Sequence, residues 1–387
     1  MQVQQLLLAA NIGAEDLEQS LKPLREISPS WLLVFGGVDF FSNTSAVDTL
    51  TQAFPTAILM GCSTAGEISG SSVNDNSLII TAVKFESEQQ IRGACTVIES
   101  MDDSLAAGER IGEQLKSSDL KAVMVLGPGL DVNGTELVEG IAKQIGDEIP
   151  ITGGLAGDGA AFEKTWTLNN RYSSNRGVVA VGFDGNEINF AHGSFGGWTP
   201  FGPARKVTKC EGNILYELDG EPALSVYKHY LGDYADGLPG SGLLFPFEML
   251  GEDHEAAGLI RTILGIDEEA GSLILAGSID PDGYLKLMHA NTDGLVDGAE
   301  KAADAAKLMF EGQGNSLAIL ISCVGRKLVM GELVEDEVEA VADVFGGNAT
   351  LTGFYSYGEI SPFAPGAACH LHNQTMTITY IGDGSSA

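Results

Sequence analysis

The sequence predicts an α/β protein built from repeated strand–helix–strand–loop–strand units, with mixed β-sheets flanked by helices and two domains. Three observations support this class. Apolar runs of strand length alternate with segments of helical periodicity. Two similar nonapeptides, GCSTAGEIS at 61–69 and GFYSYGEIS at 353–361, lie far apart in the chain. The 50 glycines cluster between the apolar runs, where they shape loops rather than a linker.

The first copy of the unit surrounds the nonapeptide at 61–69. Residues 31–37 (WLLVFGG) and 56–61 (TAILMG) are predicted to be buried strands, and 44–54 is predicted to be a helix that begins at a polar cap. After the nonapeptide, residues 77–85 (SLIITAVKF) form another strand. This order predicts parallel pairing of the first two strands through a right-handed crossover.

The second copy has the same order. Strand 316–323 (SLAILISC) is followed by a helix over 333–347, then by a short strand that leads into the nonapeptide, and finally by strand 375–381 (TMTITYI). A further helix, predicted over 295–310, precedes this copy with an alanine-rich stripe. The match predicts that the two copies share one fold and that Gly66 is equivalent to Gly358.

A degenerate third copy is predicted between them. Residues 122–127 (AVMVLG) form a strand, Leu137, Ile141 and Ile145 mark one face of a helix, and 149–159 contains the loop GGLAGDG. In this loop Gly157-Asp158 replaces Gly-Glu. Residues 196–250 differ from all three copies in their proline, glycine and aromatic content, with a short helix at 221–231. We therefore predict domains over 1–220 and 221–387.

Charge excludes several classes of partner. The chain has 53 acidic and 21 basic residues, a net charge of -32, which repels nucleic acid and anionic lipid surfaces. The five cysteines form no C-x-x-C pair, and the first residues (MQVQQLLLAA) lack the basic region of a signal peptide. No apolar run reaches the length of a transmembrane helix. These features predict a cytoplasmic protein.

The glycine loops carry the predicted ligand-binding side chains. Ligands of α/β units bind at the carboxyl ends of strands, where glycine lets backbone N–H groups approach closely. The loops would offer three carboxylates together with hydroxyl and thiol groups, suited to a cation or an ammonium group. The side chains are Cys62, Ser63, Thr64, Glu67, Asp158, Tyr355, Ser356, Tyr357 and Glu359. The alternative is structural, because a Gly-acid pair also forms turns and helix N-caps.

Arginine is scarce, and Arg326 follows a buried strand at the position where a group that binds a carboxylate is expected. Arg171 is a second candidate. The alternative for either residue is an ion pair with one of the many acidic side chains. An amino-acid-like ligand would place its ammonium group on the three carboxylates and its carboxylate on Arg326.

Enzyme signatures are missing from the sequence. GCSTAG is not a G-x-S-x-G elbow, and no dinucleotide, Walker or H-E-x-x-H motif is present. Cys62 or Cys323 could act as a nucleophile, but neither has a base at a recognisable spacing. His370 and His372 are two residues apart on a predicted strand and could bind a metal or haem; hydrogen-bonded strand histidines are the alternative.

The motifs together resemble the FIST family, whose members have an N-terminal and a C-terminal FIST domain. The resemblance rests on GCSTAGEI (61–68), GGLAGDG (153–159), GVVAVGF (177–183), YELDGEPALSVYKHYLG (216–232), RTILGID (261–267), SCVGR (322–326), GFYSYGEISP (353–362) and LHNQTMTIT (371–379). It implies a noncatalytic sensor in bacterial signal transduction that binds a small ligand such as an amino acid.

The resemblance also implies a partner and an alternative ligand. Since no output domain is recognised in the sequence, the sensor is expected to act on a separate histidine kinase, chemoreceptor or cyclic-di-GMP enzyme. Some family members bind haem and sense nitric oxide. In that alternative His372 is the first choice for the axial ligand, followed by His289 and His229.

Overall fold

A computed structural model describes residues 1–86, 91–185, 187–310 and 314–383. In these residues the chain forms three α/β units of one plan and one inserted β-rich domain. The predicted mixed α/β class with repeated units is confirmed.

Unit 1 contains the first nonapeptide. Asn43 caps the helix predicted at 44–54 by accepting a hydrogen bond from the backbone N–H of Ala46. Its elements are β1 (Gln2–Ala9), α1 (Ala14–Ser20), α2 (Lys22–Glu26), β2 (Trp31–Gly36), α3 (Val38–Ser42), α4 (Thr44–Ala53), β3 (Ile58–Ser63), β4 (Glu67–Ser69), β5 (Ser72–Asn74) and β6 (Ser77–Lys84).

Unit 2 is the degenerate copy. Asn133 caps its second helix through the backbone N–H of Glu136. Its elements are β7 (Ile91–Val97), a 3₁₀ turn (Met101–Asp103), α5 (Ser104–Leu115), β8 (Leu120–Gly127), α6 (Gly134–Ile145), β9 (Ile151–Leu155), β10 (Thr167–Leu168), β11 (Ser173–Ser174) and β12 (Gly177–Asp184).

Unit 3 begins with β13 (Ile188–Phe195) and is then interrupted by the inserted domain. The insert contains β14 (Thr199–Pro200), β15 (Arg205–Glu211), β16 (Ile214–Leu218), β17 (Glu221–Pro222), α7 (Ala223–Leu231), 3₁₀ helices at Gly232–Gly237 and Gly240–Leu244, β18 (Phe247–Leu250), β19 (Ala256–Arg261), β20 (Ile263–Asp267), β21 (Ser272–Leu275) and β22 (Tyr284–His289). The boundary predicted after residue 220 falls inside the insert's nine-stranded sheet, between the paired strands β16 and β17.

After the insert, unit 3 continues with the second nonapeptide. Asn291 caps its first helix through the N–H of Gly294. The elements are α8 (Thr292–Met309), β23 (Ser316–Cys323), α9 (Val324–Met330), a 3₁₀ turn (Gly331–Leu333), α10 (Val334–Phe345), a 3₁₀ turn (Gly346–Asn348), β24 (Ala349–Ser356), β25 (Gly358–Pro362), β26 (Cys369–His372) and β27 (Met376–Asp383).

The three units have the same strand order and directions. In each unit two central strands pair in parallel, and the closing strand pairs antiparallel with the first of them and with an edge strand. The parallel pairs are β2 with β3, β8 with β9, and β23 with β24. The predicted match between the two nonapeptide-containing copies is confirmed in strand order and direction.

Each unit has one hairpin that pairs with the sheet of another unit. The hairpin β4–β5 of unit 1 pairs with β24 of unit 3, β25–β26 of unit 3 pairs with β9 of unit 2, and β10–β11 of unit 2 pairs with β3 of unit 1. Each sheet therefore has six strands, of which two come from a neighbour. The exchange is cyclic and joins the three units into one body.

The inner faces of the three sheets share one apolar core. Trp31 and Phe35 of unit 1, Phe183 of unit 2 and Phe354 of unit 3 belong to it and are fully buried. The rings of Phe35 and Phe354 lie 4.8 Å apart, and those of Trp31 and Phe183 lie 5.6 Å apart. This core brings the glycine loops together at the carboxyl ends of the central strands.

Candidate functional site

The three glycine loops interlock through their backbones where the units meet. Three backbone hydrogen bonds each join one unit to another at this junction, so the loops pack against each other there. The bonds run from Ala65 N to Tyr355 O (2.8 Å), from Gly157 N to Ser63 O (2.9 Å) and from Tyr357 N to Leu155 O (3.2 Å).

Glu67 begins hairpin β4–β5 and is buried, with 1% of its surface exposed. One carboxylate oxygen accepts hydrogen bonds from the backbone N–H and hydroxyl of Ser77, at 2.9 and 2.8 Å, and the other accepts one from the Thr64 hydroxyl. Burial raises the pKa of this carboxyl group. Its hydrogen bonds therefore hold the loop to the first residue of β6 in the same unit.

Glu359 repeats this arrangement in unit 3. It accepts hydrogen bonds from the Ser356 hydroxyl at 2.6 Å and from the N–H and hydroxyl of Thr375 at 3.2 and 3.1 Å. Burial raises the pKa of Glu359 to about 8. Both predicted glutamates thus bind groups of their own unit.

The residue of unit 2 that is equivalent to Glu67 and Glu359 is Thr167, not Asp158. Thr167 and Glu67 begin exchanged hairpins, and the residue after each lies opposite a glycine of the neighbouring sheet. A longer loop precedes the hairpin in unit 2, and Asp158 organises it by accepting the backbone N–H groups of residues 162–164 at 2.7 to 3.0 Å. The Tyr357 hydroxyl also donates to Asp158.

The other predicted loop side chains also have partners inside the fold. The Ser63 hydroxyl donates to Gly157 O at 2.7 Å, and the Tyr355 hydroxyl donates to Glu337 at 2.7 Å. Cys62 is part of the shared core. Burial, reinforced by the charge of Glu67, raises the pKa of its thiol, and burial also raises the pKa of Cys323. A raised pKa disfavours the thiolate that a nucleophile needs.

Arg326 does bind a carboxylate, but the carboxylate belongs to the chain itself. Its guanidinium, fully buried on α9, donates to Glu337 of α10 from Nε at 3.0 Å and from Nη2 at 2.7 Å. It also donates to the carbonyls of Leu295 and Gly196. The ion pair holds α9 against α10, and the two carbonyl contacts hold α9 against α8 and the residue after β13. Arg171, the second candidate, is exposed.

The three histidines of the haem alternative lie on different elements. His372 is fully buried in β26, where its Nε2 lies 2.8 Å from Ser361 O, and burial lowers its pKa to about 4. His289 is exposed at the end of β22, and His229 is exposed on α7. This arrangement gives no support to a haem site.

A different set of polar groups lies along the contact between the inserted domain and unit 3, which we call the seam. Arg261, at the end of β19, has 3% of its surface exposed. Its guanidinium donates to three main-chain carbonyls: Ser278 O at 3.1 Å, and Ile260 O and Leu371 O at 3.3 Å. Among the described residues, no carboxylate pairs with Arg261.

Three unpaired acceptors follow Leu371 in the chain. His372 Nδ1, Asn373 Oδ1 and Gln374 Oε1 are buried and make no hydrogen bond with the described residues. Gln374 joins the two sides of the seam, since its side-chain Nε2 donates to Leu243 O at 2.9 Å and its backbone carbonyl accepts from the Trp198 indole at 2.7 Å.

An open pocket of about 420 Å³ lies farther along the seam. The insert and the segment after it provide most of its wall, and α9 of unit 3 provides the rest. The lining residues are Phe201, Tyr234, Leu244, Phe245, His289, Ala290 and Val329. No local sequence pattern marks Arg261 or this pocket, because the residues that they contact lie far away in the chain.

Two further features concern membranes and metals. The helices within the described ranges are too short or too polar to cross a lipid bilayer. Within the same ranges, no group of three or more histidine, cysteine, aspartate or glutamate side chains is placed to bind a metal ion.

The chain is similar to known proteins over most of its length. An uncharacterized protein of Methanocaldococcus jannaschii is 25% identical over 332 residues, which cover 77% of this chain and 60% of that protein. The chain thus spans less than two thirds of this relative. The crystal structure of cyanuric acid hydrolase from A. caulinodans aligns over 99% of both chains, with 10% identity and a TM-score of 0.37.

Family models match two adjacent regions. The FIST N domain model matches residues 30–221, which contain unit 1 from β2 onward and all of unit 2. The FIST C domain model matches residues 223–362, which contain most of the insert and most of unit 3. FIST domains are associated with sensory signal transduction. The chain therefore belongs to the FIST family of sensory proteins.

Proposed function

We propose that this protein is a cytoplasmic sensor that binds an amino-acid-like molecule at the seam between the inserted domain and unit 3. The proposal rests on one observation: Arg261 is buried without a carboxylate partner, next to a segment with three unpaired acceptors. A zwitterion would satisfy both groups, since its carboxylate pairs with a guanidinium and its ammonium group donates to acceptors.

A comparison of Arg261 with Arg326 supports the proposal that the counter-ion of Arg261 is an anion from outside the chain. Both guanidinium groups are buried, but only Arg326 has a carboxylate partner. A buried charge without a counter-ion is costly. In a chain with 32 more acidic than basic residues, a carboxylate partner would be readily available to a purely structural arginine. We therefore expect the counter-ion of Arg261 to come from the ligand.

A ligand in the seam would alter how the insert contacts unit 3. Arg261 belongs to the insert, whereas Leu371 belongs to the hairpin that unit 3 gives to the sheet of unit 2. A change at this contact would reorient the insert, and binding would be reported without chemistry. The recipient would be a separate signalling protein: a histidine kinase, a chemoreceptor or a cyclic-di-GMP enzyme.

Calorimetric titration tests this proposal. The twenty common L-amino acids and their decarboxylated amines are titrated against the wild type, Arg261→Gln and the control Arg205→Gln, which alters a more exposed arginine of the insert. We expect one amino acid to bind, its amine to bind at least about tenfold more weakly, and Arg261→Gln to cause a similar loss. Undiminished binding to Arg261→Gln, or no binding to the wild type, would overturn the proposal.

A further inference from the structure

The pocket of about 420 Å³ at the seam, here called the aromatic pocket, is lined mainly by rings. Four of its seven lining residues carry rings, and the other three are aliphatic: Leu244, Ala290 and Val329. Its volume lies in the usual range for small-molecule sites. The wall therefore offers aromatic faces and edges with few hydrogen-bonding groups.

The four rings stand at steep angles to their neighbours. Phe201 and His289 have ring centroids 5.5 Å apart at 74°, and Phe201 and Phe245 are 6.0 Å apart at 64°. Tyr234 and Phe245 are 5.1 Å apart at 62°. Because neighbouring rings differ strongly in orientation, they bound the pocket as separate walls rather than as one stack. We call this arrangement a box. Such boxes surround a compact group with aromatic rings on several sides.

Charge favours a cation inside this box. The lining residues include no lysine or arginine, and Tyr234 is flanked in the chain by the exposed acids Asp233 and Asp236. The protein as a whole carries a net charge of -32, which attracts cations to its surface. A cation that also has an apolar surface interacts with the faces of aromatic rings and loses little hydration on entry.

We propose that the aromatic pocket binds a quaternary ammonium group. This site lies beyond the proposed function, because its lining includes neither Arg261 nor the unpaired acceptors at 372–374. The positively charged methyl groups contact the rings, and the acidic residues near Tyr234 provide the surrounding negative potential. The two sites are tested with different probes, so either proposal can fail without the other.

The experiment compares choline with 3,3-dimethylbutan-1-ol, which has the same shape but carries no charge. Both are titrated calorimetrically against the wild type, Phe245→Leu and Tyr234→Leu. Leu328→Ala is the matched control, because Leu328 is exposed on α9 next to Val329 but does not line the pocket. Thermal melting checks that each variant is folded.

We expect choline to bind the wild type at least about tenfold more tightly than the uncharged alcohol, and each aromatic substitution to weaken choline binding about threefold to tenfold. Leu328→Ala should bind choline as the wild type does. Equal binding of the two probes would show a hydrophobic pocket without preference for a cation, and undetectable choline binding would exclude the site. Tyr234 is 57% exposed, so its variant keeps the test valid if Phe245→Leu does not fold.

Discussion

Glu67 and Glu359 occupy equivalent positions in units 1 and 3 and accept hydrogen bonds from the same three kinds of group. Each binds a hydroxyl three residues earlier, and each binds both the N–H and the hydroxyl of a residue at the entrance to the closing strand of its unit. The repeated Gly-Glu-Ile-Ser sequence thus marks the point where a hairpin leaves its own unit.

Glu359→Gln should make stability less dependent on pH. The pKa of Glu359 is about 8 in the folded protein and near 4.5 when the group is exposed. Between these values the folded state retains a proton that the unfolded state has lost, so wild-type stability falls as pH rises, by at most about 1.4 kcal/mol per pH unit. The variant lacks this contribution, and the Ser356 hydroxyl can turn to accept from the new amide.

The measurement is urea unfolding of the wild type and Glu359→Gln at several pH values from 5 to 9. The free energy of unfolding of the variant should increase relative to that of the wild type as pH rises. Glu18→Gln, at an exposed glutamate, controls for the removal of one negative charge from an acidic protein. A difference that stays constant with pH would contradict the assignment.

Arg326→Met should destabilise the fold strongly. It leaves Glu337 charged and buried, with only the hydroxyls of Ser322 and Tyr355 as partners. Removing one member of a buried ion pair costs about 3–5 kcal/mol. Chemical denaturation measures this cost, and Arg25→Met, which removes an exposed pair, should cost less than about 1 kcal/mol.

The double substitution Arg326→Met/Glu337→Met sharpens this test. It removes both charges, so we expect it to be more stable than Arg326→Met alone. If the single and double variants are equally unstable, the loss comes from packing rather than from an unpaired carboxylate.

Gly153→Ala should disrupt the junction of the units. A Cβ at this position would lie 1.8 Å from Val125 O, and the backbone has a φ of +141°. A Cβ at the equivalent Gly61 or Gly353 would also lie too close to a carbonyl of the neighbouring strand of its own unit, at 2.3 and 1.9 Å respectively. We expect a loss of more than about 1 kcal/mol in thermal or urea unfolding. Gly347→Ala, where the Cβ meets nothing within 4 Å, should be nearly neutral.

The sequence allowed the repeated units to be predicted because their signals are local. Parallel strands buried on both faces appear as continuous apolar runs, such as β23, and the strand predicted at 316–323 matches it at both ends. The glycines at these loops can also be recognised in the sequence. Because a larger side chain would clash with the neighbouring strand, the positions of the glycines follow from the packing of the strands.

The hairpin exchange and the seam could not be predicted because they depend on residues far apart in the chain. Ile68 pairs opposite Gly353, and Arg261 contacts the carbonyl of Leu371. Arg326 shows the same difficulty: the sequence predicts that it binds the carboxylate of a ligand, whereas the structure pairs it with Glu337, and no local pattern identified that partner. In unit 2 Thr167 occupies the position of the glutamates, and it follows a longer loop in which Asp158 lies.

The cyclic exchange of hairpins has a consequence for biosynthesis. The ribosome releases the N-terminal residues first, but the sheet of unit 2 is complete only after β25 and β26 (358–372) have been made. Until then β9 remains an unpaired edge, able to pair with another nascent chain. The body is therefore complete only late in synthesis, and a nascent chain that has not reached residue 358 carries an open edge that favours aggregation.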